Sequence, residues 1–122
     1  MSAKLILMIP GGDNPLTMVA CAALRTAGHT VRDARNPTQD ELDNGTKPFF
    51  YDSMIECTHL VVVVPVSGAA ELPLWAASAV GKSIHLIYEG HAAPAATRFL
   101  SIPVGNRHAT VAAAEAAIAA EV

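Results

Sequence analysis

The stretch His59-Leu-Val-Val-Val-Val-Pro-Val-Ser-Gly-Ala-Ala-Glu71-Leu-Pro-Leu-Trp75 decides how the chain is organised. Leu60 to Val64 is an unbroken apolar, β-branched run. It lacks the polar alternation of a half-exposed strand, so it predicts a central parallel strand buried on both faces. Pro65 ends the run, and Ser67, Gly68, Ala69 and Ala70 form a small-residue turn. Glu71 then opens a predicted helix, because Pro73 belongs in a first helical turn and Gly81 marks the end. In a parallel α/β sheet, ligands bind outside the carboxyl ends of the strands. Glu71 is therefore the candidate catalytic carboxylate.

Working outward, strand and helix alternate. Lys4 to Ile9 predicts a first strand, followed by a turn at Pro10-Gly11-Gly12-Asp13-Asn14. A helix with Pro15 in its first turn runs to about Ala27 and is closed by Gly28. His29 to Asp33 predicts a short second strand. Residues 34–47 are polar, with turn signals at Asn36-Pro37 and Asn44-Gly45. Pro48 opens a helix to about Cys57, Ser83 to Tyr88 predicts a fourth strand, and Ser101 to Val104 predicts a short edge strand. Thr110 to Glu121 is an Ala-rich helix. The expected fold class is α/β: one flavodoxin-like or Rossmann-like three-layer domain over residues 1–122, with four or five parallel strands in the order 2-1-3-4-5. That order puts the switch point between strands 1 and 3. There the turn at Pro10, Gly11 and Gly12 would lie beside the turn at Ser67, Gly68 and Ala69.

Composition narrows the function. The chain has 122 residues, 52% of them hydrophobic and 16% charged. That is one core-rich domain, able to bury roughly two-thirds of its unfolded surface. A formal net charge of −3 with scattered Lys and Arg argues against a nucleic-acid partner. Leu5 to Pro10 is too short for a signal-peptide core or a membrane span, so no membrane association is expected. Cys21 and Cys57 have no metal-type spacing and predict two buried thiols in a cytoplasmic protein. The five histidines show no His-x-x-x-His pattern, so no metal is expected. His85 predicts a hydrogen-bonded core residue, and His91 and His108 predict solvated loop residues.

Each candidate site residue also has a plainer reading. A Glu in a first helical turn favours the helix dipole whether or not it does chemistry. Gly68, Ala69 and Ala70 would let a sugar or phosphate approach the backbone, or would form an ordinary βα connection. Gly11-Gly12 is a weak phosphate signal, since neither a P-loop nor a dinucleotide fingerprint is complete. Asp52 shares a helical face with Glu56, as an acid aimed at the strand 3 end or as part of a solvated face. Trp75 lies one turn after Glu71, as packing or as a pocket wall. A response-regulator site would need an Asp where strand 3 ends in Val64-Pro65, and a flavodoxin would need a hydroxyl-rich turn after strand 1.

Three stretches together resemble the nucleoside 2-deoxyribosyltransferase-like superfamily, which includes deoxynucleoside 5′-monophosphate N-glycosidases. They are Lys4-Leu-Ile-Leu-Met-Ile-Pro-Gly-Gly12, Asp52-Ser-Met-Ile-Glu-Cys-Thr-His-Leu-Val-Val-Val-Val64 and Ser67-Gly-Ala-Ala-Glu-Leu-Pro-Leu-Trp-Ala-Ala-Ser-Ala-Val-Gly-Lys82. The third is the most specific. The resemblance implies Glu71 as nucleophile and Asp52 as an acid that orients it or a sugar hydroxyl. Pro10, Gly11, Gly12, Ser67, Gly68, Ala69 and Trp75 would surround a nucleoside or nucleotide. It further implies cleavage or transfer at an N-glycosidic bond, no cofactor, and a homo-oligomer. Where many members carry an acid at the start of strand 3, this chain has His59. Two alternatives stay open: a catalytically inactive module binding nucleotide-like ligands, and an NAD- or ADP-ribose-processing relative.

Overall fold

The computed structural model describes residues 4–9, 14–33, 56–64, 81–93 and 102–121. Within them lie β1 (Leu5–Ile9), α1 (Asn14–Thr26), β2 (Thr30–Asp33), β3 (His59–Val63), β4 (Ser83–Ile87), β5 (Arg107–His108) and α2 (Val111–Ala120). The strands form one sheet in the order β2-β1-β3-β4-β5, and every neighbouring pair is parallel. This is the expected α/β fold and the expected strand order.

β3 is central, and all five of its residues are buried. Alternation sends its side chains to two cores. Val61 and Val63 join Ile6, Met8 and Ile87 under α1 and α2. Leu60, Val62 and Val64 join Leu7, Ile9, Ile84 and Leu86 on the opposite face, with Cys57 and Ile102. Burial on both sides explains why the run carries no polar alternation. Each fully buried Leu, Ile or Val contributes roughly 1.5–3 kcal/mol relative to exposure.

α1 buries Leu16, Ala20, Cys21 and Leu24, a stripe at helical spacing that faces the first core. Its end is a complete Schellman turn. The His29 amide donates to the Leu24 carbonyl, and the Gly28 amide donates to Arg25. Gly28 sits at φ +97°, the left-handed conformation that favours glycine. In α2, Val111, Ala114 and Ile118 face the same core. Thr110 caps this helix by accepting from the Ala113 amide at 3.0 Å, and the Glu89 carboxylate accepts from the Val111 amide at 3.0 Å. Both cysteines are buried thiols outside any disulfide, and burial pushes the Cys57 thiol up from its ordinary pKa.

The edge strand differs from expectation. It lies at Arg107–His108 and not at Ser101 to Val104. Pro103 has no N–H for a ladder, and Val104–Asn106 turns instead as a 3-10 helix in which the Asn106 amide donates to Pro103. The Asn106 side chain donates to the Ile84 carbonyl at 3.0 Å, which pins the turn against β4. The strand begins only after this turn. As a result His108 is 6% exposed and not the solvated loop residue its surroundings in sequence suggest.

Candidate functional site

The two ends of the sheet differ in character. At the carboxyl edge, Ile9 pairs with Val62, so the chain leaves β1 and β3 from neighbouring positions on the same side. This is the crevice-forming end of an open parallel sheet. The candidate residues Pro10, Gly11, Gly12, Asp52, Ser67, Gly68, Ala69, Glu71 and Trp75 lie outside the described residues. What is described is the frame that flanks them: two adjacent, buried, parallel strand ends.

The amino edge carries a polar cluster. His59 opens β3, Ser83 opens β4, and the two are in register. His85 lies two residues along β4 on the same face, and His108 comes from β5. Their rings form a diagonal row. His59 and His85 are 6.1 Å apart at 18°, and His85 and His108 are 5.1 Å apart at 14°. Glu121, immediately after α2, closes over the row. Its Oε2 lies 2.5 Å from His59 Nε2, and its Oε1 lies 2.6 Å from His85 Nε2. The Ser83 hydroxyl donates to Oε1 at 3.1 Å.

The far ring nitrogens are also engaged. His59 Nδ1 is 2.7 Å from Thr58 Oγ1, and His85 Nδ1 is 2.9 Å from His108 Nε2. The Lys4 ammonium donates to the Glu121 carbonyl at 2.6 Å, which ties the end of α2 to the start of β1. Nearby, the Lys4 amide donates to His29 Nδ1 at 3.0 Å, and His29 Nε2 is buried with no hydrogen-bond acceptor among the described residues.

The charges follow from these contacts. Burial would raise the Glu121 pKa, but hydrogen bonds from His85, Ser83 and His59 outweigh it and hold the carboxyl below its usual range. Burial lowers His85, with Glu121 pulling the other way. Burial and then the neighbouring His85 lower His108. Burial, reinforced by His59 and Lys4, lowers His29.

No short motif announces this cluster. Glu121 lies 62 positions from His59 and 36 from His85. Two weaker signals exist. Histidines at core-facing positions of apolar strands require polar partners. A carboxylate at a helix C-terminus opposes the dipole and calls for compensation.

No family model matches the sequence, and no curated protein matches it. Among solved structures, the chain is similar to the CMP N-glycosidase BcmB of Clostridium botulinum. The TM-score is 0.59 and the identity 22%, over 93% of this chain and 97% of that one. The chain shares an N-glycosidase's fold. The match runs nearly end to end on both chains. Among the described residues, no helix is long and apolar enough to cross a membrane.

Proposed function

We propose that this protein cleaves the N-glycosidic bond of a nucleoside 5′-monophosphate or nucleoside, with Glu71 as nucleophile. One observation carries the reading. The fold likeness to a CMP N-glycosidase spans nearly the whole chain, and the segment resembling a nucleophile motif follows directly on the central strand of that fold.

In this reading the Glu71 carboxylate attacks the anomeric carbon as the bond from that carbon to the base nitrogen breaks. The base leaves with the bonding electron pair and takes up a proton. Water then attacks the glycosyl ester, releases the sugar or sugar phosphate, and regenerates the carboxylate. Asp52 orients Glu71 or a sugar hydroxyl. Gly11, Gly12, Ser67, Gly68 and Ala69 supply a close-approach floor and backbone amides for the sugar and phosphate. Pro10 and Trp75 wall the pocket. A nucleoside or second base accepting the sugar in place of water would make the same site a transferase. A homo-oligomer accompanies this reading as an expectation carried by the family resemblance.

The test is chromatography after incubation with CMP, the deoxynucleoside monophosphates, deoxynucleosides and NAD, with Glu71→Ala alongside. Free base from the parent and none from the variant supports the reading. Saturable nucleotide binding without base release makes the protein a binding module. Release of nicotinamide alone makes it an NAD-processing relative.

A further inference from the structure

We propose that His59 Nε2, His85 Nε2 and the Glu121 carboxylate form a divalent metal site of the zinc class at the amino edge of the sheet. It is separate from the glycosidase reading and lies at the opposite end of the strands.

Hydrogen-bond direction points there first. The Thr58 hydroxyl donates to the Leu5 carbonyl at 3.4 Å, so it accepts from His59 Nδ1. Nε2 then faces a carboxylate oxygen at 2.5 Å. A cation between them, a proton or a metal ion, satisfies both groups, and a second imidazole converging on the same carboxylate supplies the further donor that a metal ion takes.

The surroundings match a ligand set. Metal-bound histidines engage their second nitrogen with a fixed neighbour, as His59 does with Thr58 and His85 with His108. Both imidazoles are buried, and their Nε2 atoms converge on one carboxylate. All three ligand groups offer atoms within 4.8 Å of one another. A tetrahedral ion with bonds of about 2.0–2.1 Å spaces its ligand atoms about 3.3 Å apart. Opening the two carboxylate contacts, now 2.5 and 2.6 Å, by roughly 0.7–0.8 Å brings the Glu121 oxygens to that spacing from the rings. This side chain is 31% exposed and gives the ion its route in. Two imidazoles and one carboxylate suit zinc, whereas calcium and magnesium prefer sets made wholly of oxygen. Ser83 Oγ, 3.1 Å from Oε1 and 3.3 Å from His85 Nε2, stands beside the fourth position. Lys4 holds the Glu121 backbone carbonyl and leaves the carboxylate to the rings. The ion would clamp β3, β4 and the end of α2 in one step.

The test uses the full chain, stripped with chelator and desalted. Zinc is titrated by calorimetry and cobalt by visible absorption. The expected result is one ion per chain, the intense visible bands of four-coordinate cobalt, and a Tm that climbs with zinc concentration. Glu121→Gln and His85→Gln should weaken zinc binding at least about 100-fold, and His108→Gln about 10-fold or more. His91→Gln, on the exposed surface, should leave it unchanged. Absence of saturable zinc binding by the unmutated chain overturns the proposal. So does undiminished binding by Glu121→Gln: the carboxylate would then be held by protons alone. Should a variant fail to fold, the Tm shift and cobalt spectrum of the unmutated chain decide.

Discussion

His85 and Glu121 meet at 2.6 Å although 36 residues separate them. His85 is the third residue of β4, and Glu121 lies just past the end of α2. Their contact fastens the last helix to the amino edge of the sheet. The expected ligand crevice is at the carboxyl edge, at the opposite end of the same strands.

The glycosidase reading makes a prediction for two carboxylates. Glu71→Gln should reduce base release about 1,000-fold or more, because a neutral amide cannot form the glycosyl ester. Asp52→Asn should reduce kcat about 100-fold and change KM less, as expected for a group that acts mainly in the transition state. Steady-state kinetics on the best substrate of the pool measures both. Unchanged urea midpoints would show that neither loss reflects unfolding.

His29 predicts a pH dependence of stability. Its Nδ1 accepts the Lys4 amide, so only the neutral ring fits, and its folded pKa is lowered. The unfolded ring titrates near its ordinary value of about 6.5. The stability it contributes is therefore fully present above that value and is lost as pH falls toward the folded pKa. His85 and His108, also lowered, act with the same sign. Urea midpoints of the chelator-treated protein should fall between pH 7.5 and 5.5. His29→Gln should show a shallower fall.

Thr110 predicts a local effect. Thr110→Ala removes the acceptor for the Ala113 amide and should cost about 1 kcal/mol, while Thr110→Ser should be nearly neutral. Equilibrium denaturation with an unchanged m-value would confirm a pure stability loss.

Leu86 predicts a core effect. It is fully buried in β4, on the face shared with Leu60, Val62 and Ile102. Leu86→Ala should cost about 2–5 kcal/mol, the larger figure if the second core cannot collapse around the cavity. Leu86→Met should cost less than about 1.5 kcal/mol. Denaturant midpoints of the two variants give the comparison.

Much of the frame was legible in residue order. The Val61–Val64 run marked a strand buried on both faces, Gly28 marked a helix end, and Thr110 marked a helix start. Each is a local effect: missing polar alternation, a left-handed glycine, and an Ala-rich run; the cap made by the Thr110 hydroxyl came only with the structure. The alternation of strand and helix points to a parallel sheet, and the expected order 2-1-3-4-5 is the order observed. The edge strand was misplaced because Ile102 and Val104 have strand-like side chains. Pro103 and the contacts of Asn106 with β4 override that preference, and the second of these exists only once β4 is in place.

The histidine–carboxylate junction belongs to the second category. His59, His85, His108 and Glu121 share no spacing, and their side chains converge only after β3, β4 and β5 are aligned and α2 has packed back across them. Side-chain pattern along the chain sets which segments become strands and helices, since those choices are made within a few residues. Which buried polar atoms face one another depends on register between distant segments, and register is a property of the folded sheet.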